Sequence, residues 1–292
     1  MKTAVFRGAA TALVTPFSGE SIDYTALDGL IERQIAAGIS ALIVGGTTGE
    51  APTLTDKEKA ALLTFCVKKA DGRVPVIAGT GSADTAHTVR LTKEAKAIGA
   101  SGALVVAPYY NRPSQEGLYA HFAAVADTGL PVIVYDVPSR TGSVMEIPLR
   151  KRLAAHGNVV GIKEAGDSLS LLAATFRECG DDLPVYAGND ASADAVMWLG
   201  GVGVISVLSN LYPQAVVTLC SKALAGDQDD VRETLRRFIP LIGALFAESN
   251  PGPVKFAMAL KGYCEKTLRL PLCEVSDETK ARLICAIEKL DG

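Results

Sequence analysis

The chain has 292 residues, 48% hydrophobic and 21% charged, with a net charge of -3, three histidines and six cysteines. This apolar content is ample for a large core, which excludes a disordered chain. The slight acidic excess excludes a nucleic-acid binder held by charge. Cys66, Cys179, Cys220, Cys264, Cys273 and Cys285 are scattered without a C-x-x-C pair, and His87, His121 and His156 match no metal-ligand spacing. Reduced thiols in a cytoplasmic protein without a metal site are expected, and no apolar run approaches the ~18 residues of a membrane helix.

From the amino terminus, Met1 to Phe17 is apolar, but Arg7 interrupts it and Thr15-Pro16 ends it as a strand ends, so no signal peptide is expected. Short β-branched apolar runs then set a rhythm: Ala9 to Val14, Ala41 to Gly46, Val74 to Gly79, Ala103 to Pro108, Pro131 to Asp136, Val159 to Ala165, Pro184 to Gly188 and Gly203 to Val207. Segments of helical periodicity separate them, at Tyr24 to Ala37, Lys57 to Ala70, Thr85 to Ile98, Glu116 to Ala126, Ile147 to Ala155, Leu169 to Cys179 and Ala191 to Leu199. Thr55 with Glu58 reads as a capping box, Asp84 and Ser168 as N-caps, and Gly38, Gly99 and Gly180 as helix stops.

Strands alternating with helices make βαβ units, and continuously apolar strands belong to a sheet covered on both faces. Eight units favour an α/β fold of the (β/α)8 TIM-barrel type over an open doubly wound sheet. Past Gly226 only helical runs remain, at Val231 to Ser249, Pro253 to Cys264 and Ser276 to Leu290. The expected division is a barrel over 1–226 and a C-terminal helical extension over 227–292.

In such a barrel the C-terminal strand ends open onto one face, where side chains from several strands converge. Here they carry Gly45-Gly46-Thr47-Thr48-Gly49-Glu50, Pro108-Tyr109-Tyr110-Asn111-Arg112-Pro113, Tyr135-Asp136-Val137-Pro138-Ser139-Arg140-Thr141-Gly142, Lys163-Glu164-Ala165, Gly188-Asn189-Asp190 and Ile205-Ser206. Backbone amides in a glycine turn beside hydroxyls suit a small carboxylate. Gly79-Thr80-Gly81-Ser82-Ala83-Asp84 is not a dinucleotide loop, because Asp84 stands where the third glycine belongs.

Lys163 ends a buried strand. By alternation Gly161 and Lys163 face one way and Val160 and Ile162 the other, so Gly161 is expected to leave open space beside the lysine stem. Two readings fit this stretch alone: a snorkelling strand-end lysine paired with Glu164, or a desolvated amine serving as a Schiff-base nucleophile.

With Gly46-Thr47-Thr48-Gly49-Glu50, Pro108 to Pro113, Tyr135 to Gly142 and Gly161-Ile162-Lys163-Glu164-Ala165 in that order, the chain resembles the dihydrodipicolinate synthase family of pyruvate-dependent class I aldolases, essentially end to end. The resemblance implies condensation of pyruvate with L-aspartate 4-semialdehyde to 4-hydroxy-tetrahydrodipicolinate, in the diaminopimelate route of lysine biosynthesis. It implies no organic cofactor or metal. Lys163 would form the imine, with Tyr135 as acid/base in a relay with Thr47 and Tyr110. The Thr47-Thr48 turn would hold the pyruvate carboxylate and Arg140 that of the semialdehyde, while Gly188 and the Ile205 carbonyl would line the pocket. Tyr110 would reach in from a neighbouring subunit of a homotetramer, a dimer of tight dimers.

Glu164 would then face away from the amine. Asp136 departs from the asparagine frequent in the family and is expected to raise the local negative potential. The positions of the lysine-effector pocket of inhibited relatives are Tyr109, which matches, and Ala51, Asp56, Lys59, Ala83 and His87, which imply weak or absent inhibition by lysine. Lys163 and Tyr135 would serve a lyase of N-acetylneuraminate or a keto-deoxy sugar acid equally well, whereas Arg140 and Tyr110 match the semialdehyde-condensing branch. The remaining alternative is an inactive barrel with a binding role, against which no expected catalytic side chain is missing.

Overall fold

The structure, a computed structural model, describes residues 2–292; Met1, the first residue of the apolar amino-terminal stretch, lies outside them. Eight parallel strands close into a barrel: β1 (Gly8–Ala12), β2 (Ala41–Val44), β3 (Val76–Gly79), β4 (Gly102–Val106), β5 (Val132–Asp136), β6 (Val159–Glu164), β7 (Val185–Ala187) and β8 (Gly203–Ser206). Their order round the barrel follows the chain, and β1 pairs with both β2 and β8. The predicted strands are all present, with boundaries moved by one or two residues.

Alternation decides which residues meet. In β2, Ala41 and Ile43 point into the barrel with Ile77, Leu104, Ile133, Tyr135 and Ile205, while Leu42 and Val44 join the layer under the helices. Both faces are therefore apolar, and the strands read as unbroken hydrophobic runs. Phe6 closes the floor, its ring stacked at 4.4 Å on Tyr186, whose hydroxyl donates to the Phe6 carbonyl at 2.9 Å.

The helices follow the strands: α1 (Tyr24–Ala36), α2 (Asp56–Ala70), α3 (Thr85–Ile98), α4 (Gln115–Ala126), α5 (Ile147–Ala155), α6 (Leu169–Cys179), α7 (Ala193–Trp198) and α8 (Pro213–Ala225), then α9 (Gln228–Leu245), α10 (Gly252–Leu260) and α11 (Asp277–Asp291). Thr55 and Glu58 form the predicted capping box, and Asp84 and Ser168 cap α3 and α6.

Helix α8 lies outside the segments of helical periodicity. Its signals are Pro213 in the first turn and Gly226 in a left-handed conformation past the end. A short hairpin pairing Phe17–Ser18 with Ser21–Ile22 was also not predicted. Among the described residues, no helix is long and apolar enough to cross a membrane.

The region beyond β8 is tied back to the barrel mouth by a buried ion pair. Lys255 Nζ on α10 lies 2.5 Å from Glu50 Oε1, both side chains fully buried, and donates to the Thr267 carbonyl at 2.8 Å. Burial of a charge pair is tolerated when hydrogen bonds satisfy it. Glu50 Oε2 also accepts from the Arg269 amide at 3.1 Å.

Candidate active site

The turn after β2 is built on close backbone approach. A Cβ on Gly79 would sit 2.2 Å from the Gly45 carbonyl, so only glycine lets these strand ends come together. Glu50, in a left-handed conformation (φ +56°), is held by its pair with Lys255. Between these anchors Thr48 is buried and accepts from Asn250 Nδ2 at 2.8 Å, while Thr47 lines a cavity of about 490 Å³.

Tyr135 on β5 and Lys163 on β6 are register partners on adjacent strands, both facing the barrel interior. Lys163 is 6% exposed, with Nζ 4.2 Å from the centroid of the Tyr135 ring. Burial, partly opposed by the charge of Asp190, brings its pKa down to about 8. Roughly a tenth of such amines are neutral at pH 7, against roughly 0.03% at an unperturbed pKa. Burial pushes the Tyr135 phenol up to about 12, with Arg140 and a hydrogen bond with Thr47 pulling the other way. The phenol therefore stays protonated near neutral pH.

The space beside the Lys163 stem is filled, contrary to expectation. A Cβ on Gly161 would lie 2.9 Å from the Pro184 carbonyl and 3.0 Å from the Tyr186 ring. Gly161 makes room for Tyr186, not for a ligand. The pairing with β5 also shifts register between Val132 and Ile133, which leaves Val160 as the extra residue. Val160 consequently packs on the inner cluster while Ile162 joins the outer one, so the two do not share a face.

Glu164 faces away from Lys163, as alternation requires, and lies 2.5 Å from Arg150 Nη1. Asp136 is turned the same way. It accepts from Arg150 Nη2 at 2.7 Å and from the Met145 amide at 3.0 Å. Asp136 thus does not line the pocket and sits in the layer behind β5, from where its negative charge still helps to raise the Tyr135 phenol.

Arg140, on a one-turn helix (Pro138–Thr141), lines the cavity, with Nη2 3.4 Å from the Asn250 carbonyl. Gly188 packs so closely that a Cβ would be 2.7 Å from that of Ala165, and Ile205 is fully buried in the inner cluster. The fold therefore brings together Lys163, Tyr135, Thr47, Thr48 and Arg140, with Gly188 and Ile205 on strands beside them. Tyr110 is not brought in: it is 95% exposed, with φ +73°.

Three residues at the site went unassigned in the sequence. Asp190 is buried, binds the amides of Val207 and Leu208 at 2.9 and 3.0 Å, and acts on the charge of Lys163. Asn250 and Lys255 reach the threonine turn from beyond residue 249, across about 200 positions of sequence. The legible signal was Asn250-Pro251-Gly252-Pro253, a turn entering a helix with Lys255 on its otherwise apolar face.

The model of the dihydrodipicolinate synthetase family matches residues 5–290. A 4-hydroxy-tetrahydrodipicolinate synthase of Kosmotoga olearia is 49% identical over 94% of this chain and 95% of its own. Among solved structures, dihydrodipicolinate synthase of Aquifex aeolicus superposes with a TM-score of 0.96 at 43% identity, covering 98% of each chain. A chloride-inhibited dihydrodipicolinate synthase of Acinetobacter baumannii, complexed with pyruvate, superposes at 0.95 with 38% identity, over 98% of this chain and 99% of its own.

Proposed function

The chain belongs to the dihydrodipicolinate synthetase family, and we propose that it condenses pyruvate with L-aspartate 4-semialdehyde to 4-hydroxy-tetrahydrodipicolinate, the entry to the diaminopimelate route of lysine biosynthesis. The observation that carries the reading is the buried Lys163 amine, brought down to about 8 and set against the Tyr135 ring. A neutral amine there attacks the ketone of pyruvate, and loss of water gives an imine.

Protonated on nitrogen, the imine becomes an iminium whose carbon withdraws electrons more strongly than that of a ketone, so the adjoining methyl group loses a proton and becomes an enamine carbon. That carbon attacks the aldehyde of the second substrate. The semialdehyde's own amine then displaces Lys163 and closes the ring. Tyr135, protonated at rest, donates to the departing hydroxyl and takes the proton back through its Thr47 partner. The Thr47-Thr48 turn receives the pyruvate carboxylate. Arg140 suits the carboxylate of the semialdehyde, since a guanidinium fork grips both oxygens. No organic cofactor or metal enters these steps.

Tyr110 completes the relay from a second subunit in this reading. A tyrosine 95% exposed on a left-handed backbone is an expensive arrangement unless a neighbour covers it, and this supports a tight dimer. Two such dimers would form the homotetramer, acting in the cytoplasm.

Borohydride reduction in the presence of pyruvate tests the chemistry. The expected result is one reduced pyruvate adduct on the peptide carrying Lys163, together with NADPH consumption when aspartate semialdehyde and a downstream reductase are added. Cleavage of a sugar acid without that turnover would assign the chain to another branch, and no adduct would remove the imine mechanism.

A further inference from the structure

Behind the site, on the opposite face of β5 and β6, a single guanidinium is engaged on every side. Arg150, on α5, is fully buried. Its Nε donates to the Met145 carbonyl at 2.8 Å, Nη1 to Thr175 Oγ1 at 2.7 Å and Nη2 to Asp136 Oδ2 at 2.7 Å, and Nη1 lies 2.5 Å from Glu164 Oε2. Buried ionic clusters contribute little net stability compared with apolar packing of the same volume. The position of this one points to another use.

Asp136 and Glu164 are the last residues of their strands and face each other in register, one residue past the register pair Tyr135 and Lys163. Neighbours on a strand share a peptide plane and point to opposite faces. Whatever fixes Asp136 against Glu164 outside the barrel therefore reinforces the setting of Tyr135 against Lys163 inside it, where the Ala165 amide donates to the Asp136 carbonyl at 2.9 Å as the last backbone rung between the two strands. Asp136 Oδ2 also accepts from the Met145 amide at 3.0 Å. The same carboxylate thus closes the loop that carries Arg140.

We propose that Arg150 is a positioning residue for the condensation: by joining Asp136 to Glu164 it sets the spacing of Tyr135 and Lys163, and through Met145 it holds the Arg140 loop in place. The inference rests on the reading of Lys163 as the imine-forming lysine. Arg150 meets Asp136 by a hydrogen bond through Nη2 and Glu164 by charge through Nη1, and the compact ammonium of a lysine does not reproduce that two-ended contact.

The test uses three variants of the full-length protein. Arg150→Lys keeps the buried charge but loses the fork. Arg150→Met combined with Asp136→Asn and Glu164→Gln removes the fork without leaving a charge unpaired, so that folding survives. Thr175→Val removes a bond to Arg150 Nη1, the nitrogen that also meets Glu164, and keeps the guanidinium itself. Borohydride trapping with pyruvate counts competent sites, and kcat and KM for the semialdehyde are expressed per trapped site.

Displacements approaching 1 Å in a reacting geometry cost on the order of 100-fold. The triple variant is therefore expected to lose about 10- to 100-fold in kcat with raised KM for the semialdehyde, and Arg150→Lys about 10-fold, while both still trap pyruvate. Thr175→Val, which loosens Nη1 without removing the guanidinium, is expected to lower Tm and to lose less kcat per site than Arg150→Lys. A triple variant and an Arg150→Lys variant both within twofold of the wild-type kcat per site would make Arg150 merely structural. Failure of the wild type to trap pyruvate at Lys163 is a separate outcome, which removes the functional reading and this proposal with it.

Discussion

Tyr135 and Lys163 stand side by side on adjacent parallel strands, the lysine Nζ 4.2 Å from the centre of the tyrosine ring. The ring face offers a cation partial compensation for lost water, yet burial dominates and the amine falls to about 8. The pair therefore holds a lysine that is cheap to deprotonate beside a phenol that is hard to deprotonate.

Lys163→Ala is expected to abolish the borohydride-reducible adduct while leaving the fold intact. Removing the lysine removes a buried charge whose desolvation was unfavourable, which offsets the loss of packing by its stem. Circular dichroism and Tm should stay close to wild type, and mass spectrometry should find no pyruvate mass increment. An adduct of undiminished yield would place the imine on another residue.

The rate of imine formation at fixed, subsaturating pyruvate should rise about tenfold per pH unit below pH 8 and level off above it. The sign follows from the depressed pKa, since the protonated amine is inert and predominates below about 8. Rapid-quench borohydride trapping across pH 6 to 10 would measure this. A rate that climbs steadily to pH 10 would mean an unperturbed lysine.

Tyr135→Phe keeps the ring under Lys163 Nζ and removes only the hydroxyl shared with Thr47. Loss of a general acid typically costs 10²- to 10⁴-fold, so kcat should fall by about that much. The adduct should still form, more slowly, because the amine's burial is unchanged. Retention of full kcat would remove Tyr135 from the proton relay.

The barrel was legible because its cause is local. Eight apolar runs at regular spacing, with caps such as Thr55–Glu58 between them, leave few other ways to bury both faces of a parallel sheet. Lys163 was legible as a residue out of place in such a run. What periodicity could not show was the partnership of residues far apart in the chain: Asn250 on Thr48, Lys255 on Glu50 and Arg150 on Asp136. Each polar member looks like a surface residue until the fold supplies its counterpart. The extra residue at Val160 was equally hidden, since a bulge depends on the partner strand's register and leaves no mark in its own.

Asp136→Asn should stabilise the protein at pH 8 by a few degrees in Tm, an advantage that shrinks towards zero below about pH 4. Burial raises Asp136 to about 6 from its ordinary value, with Arg150 pulling it down and Glu164 pushing it further up. Between the ordinary and the raised pKa the folded state binds more protons than the unfolded one, so stability falls as pH rises through that window. Asparagine keeps an acceptor for Arg150 and the Met145 amide without the charge. Thermal melts of both proteins from pH 4 to 8 would test this, and a variant less stable at pH 8 would contradict it.

Lysine should inhibit this enzyme weakly or not at all. Ala51, Asp56, Lys59, His87 and Tyr109 line the same cavity as Thr47 and Tyr135, so an effector there would sit close to the chemistry. An incoming lysine brings an ammonium that needs a carboxylate, and the carboxylate among these lining residues is Asp56. It is already engaged, by Arg90 Nη2 at 2.9 Å, His87 Nε2 at 3.1 Å and Lys59 Nζ at 3.9 Å. Arg90 is the main reason its pKa is lowered. A charge-assisted hydrogen bond contributes about 1.5–3 kcal/mol, so its loss weakens binding by roughly 10- to 100-fold. His87→Glu, which supplies a free carboxylate and removes one competitor for Asp56, should move half-inhibition to a lysine concentration about tenfold lower. In the coupled assay, half-inhibition of the wild type at submillimolar lysine would show that Asp56 receives the ammonium despite its three partners.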